Sequence, residues 1–294
     1  MSNRFRSRVA MTRALALVLA VAVGAALWVY GEKWIGRARP SALTTIVVAG
    51  GDGGGLPRAE PTAEGFDAQA LGAVSDYAAA HGAGTLVVTR HGHLIVERYS
   101  GEANAETLID GGGFGYGLDP TLAMLAAGIA VTELHMALPP RTRWSTLELP
   151  DAIAKASKLS YPQFLSRNLW QPLNASPAHW SGAALSARAT DWLRVAQLLL
   201  HDGNFEGSQV LPKGWVQFLD RPRALPGAEP LAASDGYVLR GASGIRLWVV
   251  PRFELAILGV ASDDETRLPN GVIRAIRDRQ STSGVGLKDL VPGH

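Results

Sequence analysis

The stretch from Thr107 to Val131, TLIDGGGFGYGLDPTLAMLAAGIAV, constrains this chain more than any other. Its second half predicts a helix from Pro120 to Leu134. Leu122, Leu125, Ala126, Ile129 and Ala130 recur at helical spacing, with small residues between them. Asp119 stands where an N-cap belongs and Pro120 at the first helical position. There proline's fixed φ suits the helix, and its missing N–H would be unpaired anyway. Ahead of them lie glycines at 111, 112, 113, 115 and 117. A glycine-rich loop therefore feeds the N-terminus of a buried helix, where free N–H groups and the positive dipole end face the loop.

Two chemistries use such an arrangement. A phosphate cradle needs a lysine followed by Ser or Thr to close the loop, and this loop has none. The glycines at 113, 115 and 117 also read G-x-G-x-G rather than the dinucleotide spacing. The alternative is a nucleophile loop, in which a serine at the helix start is activated by a lysine one turn later.

The surrounding residues carry a resemblance. TLVVTRHGHLIVERY at 85–99 reads as a hairpin of two strands, 85–90 and 93–99, joined at His91-Gly92. It is followed by TLID at 107–110 and GIAV at 128–131. Further on come SYPQFLSRNLWQPLNASPAHW at 160–180 and LSARATDWLRVAQLLLHDGNFEGSQVLPKGWV at 185–216. In this order the segments resemble the serine β-lactamase/penicillin-binding-protein-like family, especially its esterase and amide-hydrolase branch. The resemblance implies an α/β, β-lactamase/transpeptidase-like fold. In it, the N-terminal hairpin and C-terminal strands near 236–241, 244–250 and 254–261 form an antiparallel sheet. Helices flank the sheet, including those at the two chain ends, and a reduced helical region fills the middle.

The resemblance also implies where the chemistry should stand. Counting back from Gly128, the family's nucleophilic serine falls at Gly117 and its lysine at Pro120, so neither nucleophile nor base is present. No S-x-x-K occurs anywhere in the chain. After Val131 the family makes a long excursion carrying a Y-x-N motif. This chain runs directly on to a helix near Asp151, contains no Tyr-x-Asn, and offers Trp144-Ser145-Thr146 as the nearest positions. The third motif, K-T-G or a His-containing equivalent, falls at Leu239-Arg240-Gly241. There Arg240 could supply positive charge beside an oxyanion site, and Gly241 could be a bulge or turn. The candidate cleft is thus Gly115, Tyr116, Trp144, Ser145, Arg240 and Ser243.

Other residues invite site readings with plainer alternatives. His91 and His93 form H-x-H, a possible metal pair, but no third ligand is suggested nearby and turn residues are the expectation. No metal or cofactor is expected. On the helix carrying Trp192, Val195, Ala196 and Leu199 on one face and ended by Gly203, Asp191 and Arg194 are expected in a solvated or capping role. A helix is expected over Phe66–His81 with Asp67 as N-cap, and another near Asn270–Gln280 with Ile273 and Ile276 inward.

The N-terminus suggests a compartment. Ala14 to Gly31 is apolar throughout and long enough to cross a bilayer as a helix. Arg4, Arg6, Arg8 and Arg13 precede it without an acid. The Arg bias places the N-terminus in the cytoplasm and the remainder outside, with Trp28 and Tyr30 at the outer interface. A cleaved signal peptide is the rival reading, but no small-x-small site precedes a polar mature start. The chain has 294 residues, no cysteine and a formal charge of +2. Removing the four N-terminal arginines leaves −2 for residues 14–294, so nucleic-acid binding has no support.

The expected organisation is a cytoplasmic tail and anchor over 1–40, a linker over 41–65, the β-lactamase-like domain over 66–280, and a tail over 281–294. The expected localisation is the bacterial inner membrane, single-pass, with the domain facing the periplasm or exterior. Three functions stay open. One is a catalytically inactive protein holding an unknown small molecule or protein partner in the former cleft. Another is a serine hydrolase whose nucleophile has moved to Ser145 or Ser243. The last is a structural or assembly remnant.

Overall fold

The two-residue turn at His91-Gly92, with φ of +48° and +82°, closes a hairpin in which strands β2 (Thr85–Arg90) and β3 (His93–Tyr99) pair antiparallel. A computed structural model describes the chain over residues 45–112, 118–139, 148–182, 184–219, 229–230, 235–260 and 266–277. The apolar run at 14–31 and the tail at 281–294 lie outside the described residues. Among the described residues no helix is long and apolar enough to cross a membrane.

Strands β10 (Tyr237–Arg240), β11 (Ile245–Val250) and β12 (Leu255–Val260) return to the hairpin. With β9 (Glu229–Pro230) they complete a six-stranded antiparallel sheet of order β3-β2-β12-β11-β10-β9. Successive side chains on a strand face opposite sides, so the central strands feed two cores. Val87, Leu247, Val249, Ala256 and Leu258 enter the larger one, while Val88, Trp248, Val250, Leu255 and Ile257 enter the smaller. This double burial is why LWVV and LAILGV read as continuous apolar runs.

The smaller core is covered by helices from the two ends of the domain, α1 (Ala68–Ala80) and a C-terminal helix at Arg267–Arg274. Asp67 caps α1, its Oδ1 accepting from the N–H groups of Gln69 and Ala70 at 3.0 Å. Its Oδ2 holds Arg277 Nη2 at 2.7 Å, tying the two ends together. The C-terminal helix starts earlier than its periodicity suggests. Ile276 is buried just beyond its end rather than within it.

On the larger core lies helix α2 (Leu118–Leu134), buried on every side from Leu118 to Ala130. It packs with α3 (Glu148–Ser157), α4 (Tyr161–Leu165) and the π-helical turn Ser166–Trp170 that continues α4. Helix α5 (Ala189–Leu200) packs against the sheet from this side, with Trp192, Val195, Ala196 and Leu199 all buried. Gly203, at φ +82°, donates its N–H to Leu198 O at 2.7 Å and leads into a small hairpin of β7 (Asn204–Phe205) and β8 (Ser208–Gln209). The antiparallel sheet flanked by helices is the fold the sequence predicts.

From residue 45 onward the segment before α1 packs against the domain. Strand β1 (Ile46–Val48) pairs antiparallel with β5 (Ala178–Trp180) at the edge of a second sheet. That sheet has the order β1-β5-β6-β4, where β6 is Leu185–Arg188 and β4 is Leu108–Asp110. Val48 and Leu56 are buried, and Gly51 N–H bonds Ala175 O at 2.9 Å. Glycines here serve close packing: a Cβ on Gly50 would sit 1.9 Å from Ala175 O.

Candidate functional site

Strand β4 runs directly into the start of the glycine-rich loop, so its partners position Gly111 and Gly112. Asp110 pairs with Ser186 of β6, and Gly111 N–H continues the ladder to Leu185 O at 2.9 Å. The loop then crosses to the other wall. Asp110 O accepts Ala242 N–H at 3.1 Å, and Gly112, at φ +95°, lies so close that a Cβ would stand 3.3 Å from Ala242 N. The start of the glycine-rich loop and the turn after β10 are therefore in contact.

Arg240 ends β10 half-buried, opposite Arg246 on β11. Gly241 is a hairpin position, its N–H bonded to Ile245 O at 2.9 Å and its missing Cβ leaving room for Asp110 O at 3.0 Å. Ser243 is exposed at the turn itself, at φ +52°. Gly115, Tyr116, Gly117, Trp144 and Ser145 lie outside the described residues.

The helix start differs from the sequence reading. Helix α2 begins at Leu118, which makes Asp119 its second residue and Pro120 its third. Asp119 has a tertiary donor. It is 1% exposed and its Oδ1 accepts the N–H of Leu185 on β6 at 3.0 Å, while Gly111 approaches so closely that a Cβ would meet its Oδ2 at 2.7 Å. Tyr161 is buried nearby, and desolvation, with Asp119's charge second, holds its hydroxyl well above the ordinary phenol range. A phenol so placed keeps its proton and cannot serve as a base at neutral pH.

A second polar site stands at the opposite end of β4. A cavity of about 150 Å³ is walled by Gly53–Leu56, β3, the 105–106 loop, Ser176 and the start of α5. Asp191 and Arg194 line it. Neither is solvated as expected: they are 1% and 2% exposed and form an ion pair of 3.5 Å. Asp191 Oδ1 accepts Ser176 N–H at 3.1 Å, and Arg194 donates to Leu173 O at 3.0 Å and to Gly54 O. Burial raises the Asp191 carboxyl above its usual range, against the opposing pull of Ser176 and Arg194. Burial likewise lowers Arg194, against Asp191's pull.

The H-x-H pair has a companion that the sequence did not suggest. His91 Nδ1 and His93 Nδ1 lie 2.7 and 2.9 Å from the two carboxylate oxygens of Glu64. The cluster ties the loop before α1 to the hairpin. Among the described residues no group of three His, Asp or Glu is arranged to hold a metal ion.

No family model and no curated protein matches the chain. Solved structures do. A Bacillus anthracis protein assigned as a 6-aminohexanoate-dimer hydrolase superposes with a TM-score of 0.58 at 14% identity, over 80% of this chain and 89% of its own. A Bacteroides dorei protein assigned as a β-lactamase superposes at 0.50 and 12% identity, over 72% and 99%. The fold is that of the serine β-lactamases and penicillin-binding proteins. Within this fold, the 110–112 segment lies against Gly241–Ala242.

Proposed function

We propose that this chain is a membrane-anchored relative of the serine hydrolases of β-lactamase type that no longer performs acyl transfer and uses the former cleft to hold a ligand or partner. One observation carries the reading. The first turn of α2, where family chemistry would put its base, consists of Leu118, Asp119, Pro120 and Thr121, all buried, with Asp119 already committed to Leu185 N–H. Proline accepts no proton, and without a paired base a serine hydroxyl is a poor nucleophile.

The test is covalent. Purified protein incubated with a penicillin or a fluorophosphonate is expected to show an unchanged intact mass. A stoichiometric adduct mapped to Ser243 or Ser145 would establish the relocated-nucleophile reading instead.

The anchor rests on the apolar run 14–31 and its preceding arginines. A reporter active only after export, fused at the C-terminus, is expected to be active, and the protein to require detergent for extraction. Release by carbonate, or a shortened mature product, would favour the cleaved-signal reading.

A further inference from the structure

We propose that the cavity between the Gly53–Leu56 loop and the start of α5 binds a small zwitterion of the amino-acid class, its ammonium toward Asp191 and its carboxylate toward Arg188. The site is separate from the former cleft, and either reading can fail without the other.

Size comes first. A cavity of 150 Å³ is the volume that accommodates a molecule of about six heavy atoms, such as benzene in an apolar case. This one is polar. Two of its most buried side chains keep a polar atom without a hydrogen-bond partner: Oδ2 of Asp191, an acceptor, and Nε of Arg194, a donor. Buried polar groups are ordinarily hydrogen-bonded, and the exceptions call for an explanation. A ligand with a donor end answers the first, while Arg194 Nε keeps its 3.5 Å contact with Asp191 Oδ1.

Charge narrows the class. The lining holds three cations, Arg58, Arg188 and Arg194, and three acids, Glu97, Glu106 and Asp191. A purely anionic ligand would bring like charge toward Asp191, and a purely cationic one toward the arginines. A zwitterion leaves the balance intact and can align each end with its opposite.

The carboxylate end has an exchangeable place. Arg188 donates through Nη1 to Ser176 Oγ at 3.1 Å and through Nη2 to Glu106, whose side chain is 68% exposed. A surface ion pair of this kind contributes little stability, so a ligand carboxylate can replace Glu106 on Arg188. Arg188 is also the residue preceding α5 and makes no side-chain cap, so its guanidinium is not engaged with the helix end. The glycines at 53, 54 and 55 let the backbone form the opposing wall without side chains that would fill the space.

Calorimetric titration of the full chain with glycine and with alanine tests this, using acetate and methylammonium as half-ligands. Both amino acids are expected to bind saturably with a Kd below about 10 mM, and each half-ligand about tenfold or more weaker. Arg188→Gln, at a half-buried position, and Asp191→Asn, which retains the acceptor for Ser176, are each expected to weaken binding by about tenfold or more. Thermal unfolding of Arg188→Gln reports that the fold is kept. No saturable binding of either amino acid overturns the proposal. So does acetate binding as tightly as glycine, or a folded Arg188→Gln that binds unchanged.

Discussion

Replacing Arg194 with methionine is expected to destabilise the domain by about 3–5 kcal/mol, the usual cost of removing one partner from a buried ion pair. Methionine roughly preserves the volume, so the loss is electrostatic rather than a cavity. Arg194 makes the 3.5 Å pair with Asp191, donates to Leu173 O and Gly54 O, and stacks 5.7 Å above the Phe205 ring. Its removal strands a carboxylate that is 1% exposed and supported only by Ser176 and the more distant Arg188.

The deficit should depend on pH in a definite direction. Burial already raises Asp191 above its ordinary 3.8, and Arg194 is one of the groups opposing that rise. Without Arg194 the folded-state value climbs further. A carboxyl whose folded value is raised favours the folded state while protonated. That contribution is fully present below the unfolded value and is lost as pH rises through the folded one. Urea unfolding of the variant is therefore expected to show its smallest deficit in acid and a growing one toward neutrality. A large deficit independent of pH would mean that Asp191 is not the stranded charge. The double variant Asp191→Asn, Arg194→Met is expected to lose less than the two single losses added, because the two side chains act as a pair.

Gly128→Val is expected to cost about 3 kcal/mol or more, at or beyond the upper end for overpacked cores. Gly128 lies in the fully buried part of α2, and a Cβ there would stand 2.6 Å from both Cε2 and Nε1 of Trp215. The indole cannot simply withdraw. Its Nε1 donates to Met124 O at 3.0 Å, and its ring packs against Phe218 with centroids 5.0 Å apart. Alanine at 128 meets the same indole and regains only about 0.5–1 kcal/mol of helix preference, so a net loss is expected there too. Trp215→Leu removes the obstacle. In that background Gly128→Ala is expected to be neutral or stabilising, and chemical denaturation of the four proteins of the cycle measures the reversal. The same loss in both backgrounds would show that the indole is not what excludes a side chain at 128.

Much of the architecture is local in origin and therefore legible. The hairpin needs only alternating apolar residues and a His-Gly turn, and both strands fall at the residues their pattern indicates. Asp67 caps α1 because its acceptors and donors are three residues apart or fewer. The cluster of Val and Leu in β11 and β12 marks a sheet buried on both faces, and the order of segments along the chain points to the fold that the superpositions bear out.

The candidate site was legible in part. The absence of serine and lysine at Gly117 and Pro120 is a property of the sequence, and so is Arg240 at the end of its strand. The contact that brings Asp110–Gly112 onto Gly241–Ala242 joins residues far apart in the chain, and no periodicity carries it. The polar cavity at Asp191 was missed because an Asp and an Arg one turn apart on a helix look the same whether solvated or buried. The only local signal was the run Asp52-Gly53-Gly54-Gly55, whose missing side chains leave space for another surface.

What the sequence by itself determined is everything set by spacing along one element: strand and helix faces, the cap of α1 and the hairpin. What only the tertiary structure decided is the fate of polar groups with more than one possible partner. Asp119, expected as a local cap, accepts the N–H of Leu185, 66 residues away. Ile46–Val48 is a strand because β5 offers it an edge, and His91 and His93 meet a carboxylate because the loop before α1 delivers Glu64. A backbone or side-chain polar group taken out of water has to be paired, and which partner is nearest is a property of the folded chain, not of the residues beside it in sequence.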